Sequence, residues 1–379
     1  MKKNKFLMIP FVAVLVLLFI FVSTQIPGAH QSVKNLPIAF VIEDNGEMSN
    51  SFVKTVQENS KAMQAGDEPM IKWIILNSQQ EMKKEMANQN LYGAIVIPAD
   101  FTEKYLSLQT TTPSSPELQV TINQGKNSTV ATVVSQTLSS IVTQMNHVIS
   151  NQLLSTMEQN KVPLTVEQAR IYAAPIKSTT TMLHETGTLG NAPLSLFQPL
   201  WIASIASAVM LWLAGKNRVF TTLAEKLKFK LVQILVAIAL GFVAGFSLTW
   251  YTTFILDYEY TSFVTIAIFL AIACISFILL ISAFLSWIGI ASITVFVLLM
   301  FFGLPLLQLA PEMLPDFYRD WIYPWLPMRF LFDGVREILF YNGAMWNGAA
   351  IVLFWIAVVS SFIHLAKALV PTKQEVSEI

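Results

Sequence analysis

The chain has 379 residues, 54% of them hydrophobic and 13% charged, with 24 basic and 24 acidic side chains and hence no formal net charge. Such an apolar composition excludes an ordinary soluble fold of this length, and the absence of a basic cluster excludes a nucleic-acid binder. One cysteine, Cys274, excludes an intrachain disulfide and any cysteine-based metal or redox motif, and the 4 histidines are scattered without ligand spacing.

In chain order, Lys2, Lys3 and Lys5 precede an apolar run over residues 6–22. A run of this kind is either a secretory signal or an anchor, and residues 23–30 offer no pair of small residues at the cleavage spacing. We therefore expect residues 1–24 to be a transmembrane anchor. Residues 25–193 have the texture of a water-soluble domain. Period-two and short apolar runs predict strands over 38–42, 71–76, 92–97 and 117–123, separated by helices over 49–64, from Ser78 with its capping partner Glu81, and over 100–108. This βαβα order implies a small sheet backed by helices. Beyond Gly125, Val134, Leu138, Ile141, Met145 and Val148 recur at spacings of four and three, the seam of one long helix that packs on the sheet or on a second copy. A second helix is expected over 165–185, interrupted at Pro175, followed by a hinge over 186–193.

From residue 194 to 366 the chain is almost continuously apolar. The stretches 194–213, 231–251, 263–284, 288–309 and 346–366 each approach the roughly 20 residues that cross ~30 Å of hydrocarbon. None contains Asp, Glu, Lys or Arg, whereas an ion-coupled carrier keeps an ionisable group at membrane depth. Energy for any transport is expected from another source. Lysine and arginine collect before the first run, in the loop holding Lys216, Arg218, Lys226, Lys228 and Lys230, and after the last span at Lys367 and Lys373. Basic loops stay in the cytoplasm, so both termini are expected inside. The expected fold class is an α-helical polytopic membrane protein of six transmembrane helices. An α/β extracytoplasmic domain over 25–193 separates the first span from a five-helix domain over 194–366, and residues 367–379 form a cytoplasmic tail.

Three features carry candidate function. Gly241 and Gly245 stand four apart on one span, a small-residue pattern for close helix packing, within the chain or between copies. The loop over 215–230, expected to be helical around 221–228, mixes Phe220, Leu223 and Leu227 with Lys226 and Lys228. It reads either as a topology-setting loop or as a docking element for a cytoplasmic partner. The connection over 311–345 is crowded with aromatics as at a headgroup interface, and Trp325 leads into a helix with Arg329, Asp333, Arg336 and Glu337 on one face and Leu331, Val335 and Ile338 on the other. That helix is either an interfacial anchor or an outer gate. Gly125–Lys126 and Gly215–Lys216 fail the phosphate-loop pattern, because Val120 and Met210 stand where its first glycine belongs and Asn127 and Asn217 follow the lysines. No catalytic constellation, metal site or cofactor site is expected in this chain.

Several of these stretches resemble a known family. The run Leu36, Pro37, Ile38, Ala39, Phe40 and Val41 ending in Glu43 and Asp44 is similar to the outer domain of permeases of type 2 ATP-binding-cassette exporters, in the branch that includes the phage infection protein. So is the run Tyr92, Gly93, Ala94, Ile95, Val96, Ile97, Pro98, Ala99, Asp100 and Phe101. Leu326, Pro327 and Met328 followed by Gly334, Val335 and Arg336 look like that family's segment before the last span. The resemblance implies a bacterial plasma-membrane half-transporter that pairs with a second copy or a paralogue and recruits a separate cytoplasmic ATPase. Its cargo would be an amphipathic compound, a lipid or a peptide. It would put the coupling helix within 215–230 and the gate within 324–340, with membrane lipid as a further partner. A cell-surface receptor or secretion-associated scaffold is the alternative from another class, and a cell-surface enzyme the third.

Overall fold

The computed structural model describes residues 33–370 except 62, 63, 66, 67, 111 and 162, together with residues 15, 16, 18, 19, 22, 23 and 26–29. The expected anchor over 1–24 lies mostly outside the described residues. The chain divides into two compact units, Gln31–Thr186 and the remainder, Met1–His30 with Gly187–Ile379.

The unit Gln31–Thr186 is a five-stranded mixed sheet with helices. Its strands are β1 (Leu36–Ile42), β2 (Ile71–Leu76), β3 (Gly93–Ile97), β4 (Glu117–Asn123) and β5 (Lys177–Leu183), in the order β2-β1-β3-β4-β5. β1 pairs in parallel with β2 and β3, β3 pairs antiparallel with β4, and β4 parallel with β5. Strand β1 and strand β3 are near-continuous apolar runs because both their faces are covered, as central strands require. On one face Ala39, Val41, Ala94 and Val96 pack with Leu76, Met82, Met86 and Leu91. Connecting helices are α1 (Glu47–Lys61), α2 (Gln79–Ala87) and α3 (Phe101–Ser107). Helix α2 begins as its sequence dictates: the Ser78 hydroxyl accepts the Glu81 amide, and the Glu81 carboxylate reaches back to the Asn77 amide at 3.2 Å. Such a cap stabilises a helix by about 1 kcal/mol.

Two expectations fail in this unit. The long helix α4 (Ser128–Gln159) does form, and its buried seam runs Val134, Leu138, Ile141 and Met145, but then Ile149 and Leu153 rather than Val148, which is 48% exposed. A straight helix turns every 3.6 residues, so a seam read at 3.5 drifts off the buried stripe. The seam faces the sheet: a Cβ added at Gly93 would touch Val134 at 3.0 Å. Residues 165–185 are not one helix. Helix α5 (Val166–Ala173) carries a full capping box from Thr165 and Gln168. Pro175 forces Ala174 out of helical geometry (φ −149°), and the chain continues as edge strand β5. Its Thr179, Thr180 and Thr181 are β-branched and exposed, so they favour a strand without producing an apolar period.

The other unit is a helical bundle of α6 (Ala192–Lys216), α7 (Leu223–Ile255), α8 (Phe263–Ile288), α9 (Ser292–Gln308), α10 (Arg329–Phe340) and α11 (Gly348–Ala366). Four helices among the described residues are long and apolar enough to cross a membrane: those of α6, α7, α8 and α11. Helix α8 is the central one. In its most apolar window 67% of residues are buried within the chain, against 22% in that of α7, so most of the α7 surface faces outward. Around α8, Phe197, Trp201, Phe277, Phe296 and Phe332 form an aromatic core, with Trp201 edge-on to Phe277 at 4.9 Å and donating its Nε1–H to the Phe296 carbonyl.

The fourth apolar stretch of this half is shorter than expected. Gly289, at φ +82°, closes α8, and α9 begins only at Ser292, so its 17 residues extend about 26 Å, short of a ~30 Å core. The helical turns expected around 221–228 are present from Leu223 on, but they are continuous with the span: α7 is one unbroken helix of 33 residues, about 50 Å long. Thr222 caps it by accepting the Glu225 amide, and the Glu225 carboxylate accepts the Thr221 amide and hydroxyl at 3.0 and 2.9 Å. The lysine-bearing turns are thus a rigid extension of a span.

Candidate functional site

Between α6 and α7 the chain turns in six residues, Asn217 to Thr222, at the basic end of both helices. The turn folds inward on aromatic contacts: Phe220 and Phe229 lie 5.3 Å apart, and the Arg218 guanidinium sits 5.0 Å over the Phe229 ring. A cleft of about 440 Å³ opens there, lined by Arg218, Val219, Phe220, Glu225, Lys228, Phe229 and Val232. Hydrogen bonds from Thr221 hold the Glu225 carboxyl below the usual carboxylate range. Of the residues singled out from sequence, Phe220 turns inward and Leu227 and Lys226 are half-buried, while Leu223 and Lys228 are exposed. Val219, not singled out, is 76% exposed.

At the other end of the bundle, Pro311–Met313 and Tyr323–Trp325 form short 3-10 turns that lead into α10. One face of α10 is apolar and packed: Leu331, Phe332 and Val335 are buried, Phe332 meets Phe197 at 5.6 Å, and Gly334 lies directly on the Phe269 ring, with no room for a Cβ. The opposite face gathers the predicted charges. Asp333 accepts from Arg329 Nε at 2.9 Å and has Arg336 at 3.8 Å on its other side. Arg329 also lies 4.8 Å over the Tyr323 ring, whose phenol burial and the Asp333 charge push up to about 12. Burial, then Asp333, raises the Glu337 carboxyl above its ordinary value. Trp325 stands apart from this cluster, exposed, donating its indole N–H to the Trp321 carbonyl at 2.6 Å.

Gly241 and Gly245 face α8. A Cβ at Gly245 would lie 2.5 Å from the Ala267 carbonyl oxygen and 2.6 Å from the Ala271 nitrogen, so backbone meets backbone there. At Gly241 the added atom would overlap the Ile275 side chain. That face of α7 is therefore covered within the chain.

A polar junction that counting Asp, Glu, Lys and Arg within the apolar runs missed ties four helices together. His364 of α11 lies 3.0 Å from Gln233 Oε1 on α7 through Nε2, and 2.8 Å from Ser286 Oγ on α8 through Nδ1. Gln233 donates its Nε2–H to the Leu211 carbonyl of α6 at 2.5 Å, and Lys230 donates to Ser286 at 3.0 Å. His364 and Gln233 are buried, and each such group must find partners in an apolar bundle. The available signal was a Gln and a His inside otherwise apolar runs.

Among the described residues, no group of three or more His, Cys, Asp or Glu could hold a metal ion. Residues 6–361 match the model of the family described as "Protein of unknown function (DUF3533)", and the chain belongs to that family. No curated protein matches it by sequence. Among solved structures it is similar to a domain assigned to an ABC type-2 transporter of Thermotoga maritima MSB8, at 16% identity and a TM-score of 0.25, over 41% of this chain and 87% of that one. At that score the superposition is no evidence of a common fold.

Proposed function

We propose that this member of the DUF3533 family is the membrane-spanning permease subunit of a type 2 ATP-binding-cassette exporter, driven by a separate cytoplasmic ATPase. In this reading it sits in the bacterial plasma membrane with both termini and the α6–α7 turn in the cytoplasm, pairs with a second permease, and moves an amphipathic compound, lipid or peptide outward. The branch containing the phage infection protein is our assignment from the sequence resemblance alone. One observation carries the reading. At the basic end of two spans, Val219 stands exposed beside Arg218 and Lys228 at a formed cleft, and Leu223 stands exposed at the start of a helix that continues unbroken into the bundle. Exposed apolar groups rimmed by cations mark a surface for a partner, and the rigid helix would carry a push from that partner to the membrane. In this reading chemical energy enters through the separate ATPase, in keeping with two Gly-Lys pairs that lack the phosphate-loop pattern.

A cross-linking experiment tests this. With Cys274→Ser as background, a photoactivatable group on a cysteine at Val219 should form, in native membranes, an adduct containing an ATP-hydrolysing protein. Adducts only with surface or secretion components would favour the scaffold reading instead.

A further inference from the structure

At the basic end of the bundle, two ammonium groups from different segments stand against neighbouring residues of α8, Lys230 at Ser286 and Lys367 at Trp287, with no carboxylate paired to either among the described residues. Lys230 of α7 is partly buried, its partner is the Ser286 hydroxyl at 3.0 Å, and Lys367, just past α11, lies within electrostatic range of it. Lys367 rests 4.9 Å over the ring of Trp287, and Trp287 donates its indole N–H to the Ile363 carbonyl at 3.0 Å, which fixes that ring between α8 and α11. No salt bridge to either lysine is formed within the described residues. Two like charges held near each other at the edge of an apolar bundle repel, and an anion between them would relieve both.

The same two helices supply a place for hydrocarbon. Leu280 of α8 and Val352, Trp355, Ile356, Val359 and Ile363 of α11, with Ser360, line a groove of about 340 Å³. Trp355, Val359 and Ile363 are exposed along it. Ile363 belongs both to the groove and to the Trp287 contact, so the groove leads directly to the lysines. From Val352 to Lys367 the helix rises about 22 Å, the reach of one lipid leaflet.

We propose that Lys230, Lys367 and Trp287 bind the phosphate of an anionic phospholipid of the cytoplasmic leaflet, with one acyl chain lying in the groove between α8 and α11. Basic pockets between spans on the cytoplasmic side recognise anionic headgroups, and a tryptophan at the headgroup level fits the same depth. The Ser286 hydroxyl links the site to His364 and Gln233, so an occupied site would also steady the four-helix junction. This inference stands on the membrane-spanning helices and holds whether or not the chain exports anything.

Native mass spectrometry of the full-length protein in mild detergent tests it, with phosphatidylglycerol, phosphatidylcholine and soluble glycerol phosphate as probes. Each lysine near an anionic surface is worth about fivefold in affinity, so roughly 25-fold for the pair. Phosphatidylglycerol should bind at least tenfold tighter than phosphatidylcholine. Lys230→Gln with Lys367→Gln should remove that preference and leave phosphatidylcholine unchanged. Lys367→Gln alone, which touches only the face of Trp287, should cost about fivefold without changing the melting temperature. Val359→Trp should fill the groove and weaken phosphatidylglycerol with both lysines intact. Equal binding of the two lipids, or no effect of Lys367→Gln, would overturn the proposal. Glycerol phosphate competing as well as the lipid, with Val359→Trp silent, would identify a soluble-anion site and overturn it too.

Discussion

Replacing Gly245 by Ala sets two effects of known size against each other. Alanine in a helix interior gains about 1 kcal/mol over glycine. The new methyl, however, would stand 2.5 Å from the Ala267 carbonyl oxygen, 2.6 Å from the Ala271 nitrogen and 2.9 Å from the Ala271 Cα, all backbone atoms that no rotamer change can move. Ordinary contact needs about 3.5–4.0 Å, so α7 and α8 must part by roughly 1 Å, and a gap of that size forfeits a quarter to a half of each dispersion contact along the seam. Overpacking of this kind costs about 1–3 kcal/mol. The net expectation is a loss of up to about 2 kcal/mol, an unfolded fraction up to about thirty-fold larger, and a larger loss still relative to a glycine whose alanine methyl is accommodated. Gly303→Ala is the internal control, since its methyl would meet only the end of the Met328 side chain, at 3.3 Å from Cε and 3.4 Å from Sδ, and should be neutral or stabilising. Reversible unfolding of the purified full-length protein in mixed detergent micelles, followed by tryptophan fluorescence, measures both. If Gly245→Ala is as stable as Gly303→Ala, the α7–α8 backbones are not in contact and the packing argument is wrong.

Asp333→Ala removes the acceptor that holds Arg329 and flanks Arg336, leaving two cations beside each other on α10. Transport, or substrate-stimulated ATP hydrolysis by the complex, should fall several-fold with expression intact, and wild-type rates would make α10 a passive interfacial helix. A cysteine at the exposed Thr112, in a Cys274→Ser chain, should react with an impermeant thiol reagent on intact cells, whereas protection would refute the outward placement of residues 25–193. His184 lies 2.8 Å from Asn123 Oδ1, and burial lowers its pKa below 6.5. The unfolded chain therefore binds the proton more readily, so stability is complete above about pH 6.5 and is lost as pH falls toward the depressed folded value. Melting curves between pH 7.5 and 5 should show this slope, and His184→Gln should flatten it.

Much of the architecture was legible because it rests on local chemistry. Ile71–Leu76 and Glu117–Asn123 are strands over the residues their apolar patterns mark, and Ser78 with Glu81 opens α2. What escaped depends on the fold. Strand β5 has no buried stripe and owes its place to β4 and to Pro175, so its sequence carries only the weak preference of three threonines. The long helix seam was legible as far as Met145, where a coiled-coil period and a straight-helix period begin to diverge. The helical turns around 221–228 were legible, but not their continuity with the span, because lysines interrupt the apolar run although nothing in those turns breaks a helix. At the site level, the charges of α10 share a face as their spacing requires, but the inward turn of Phe220 depends on Phe229 across the start of α7, and the junction at His364 depends on Gln233, 131 residues away on another helix.

Under the proposed function, an ATPase docked at the α6–α7 turn drives this chain. The most direct measurement is ATP hydrolysis that co-purifies with the tagged full-length chain from its native membrane, for the wild type and for Val219→Asp with Leu223→Asp, both exposed positions. A stoichiometric ATP-hydrolysing partner and its activity should accompany the wild type, and both should be lost from the variant while the permease still folds and elutes as before. A wild-type preparation free of any such partner, or a variant that retains it in full, would contradict the claim.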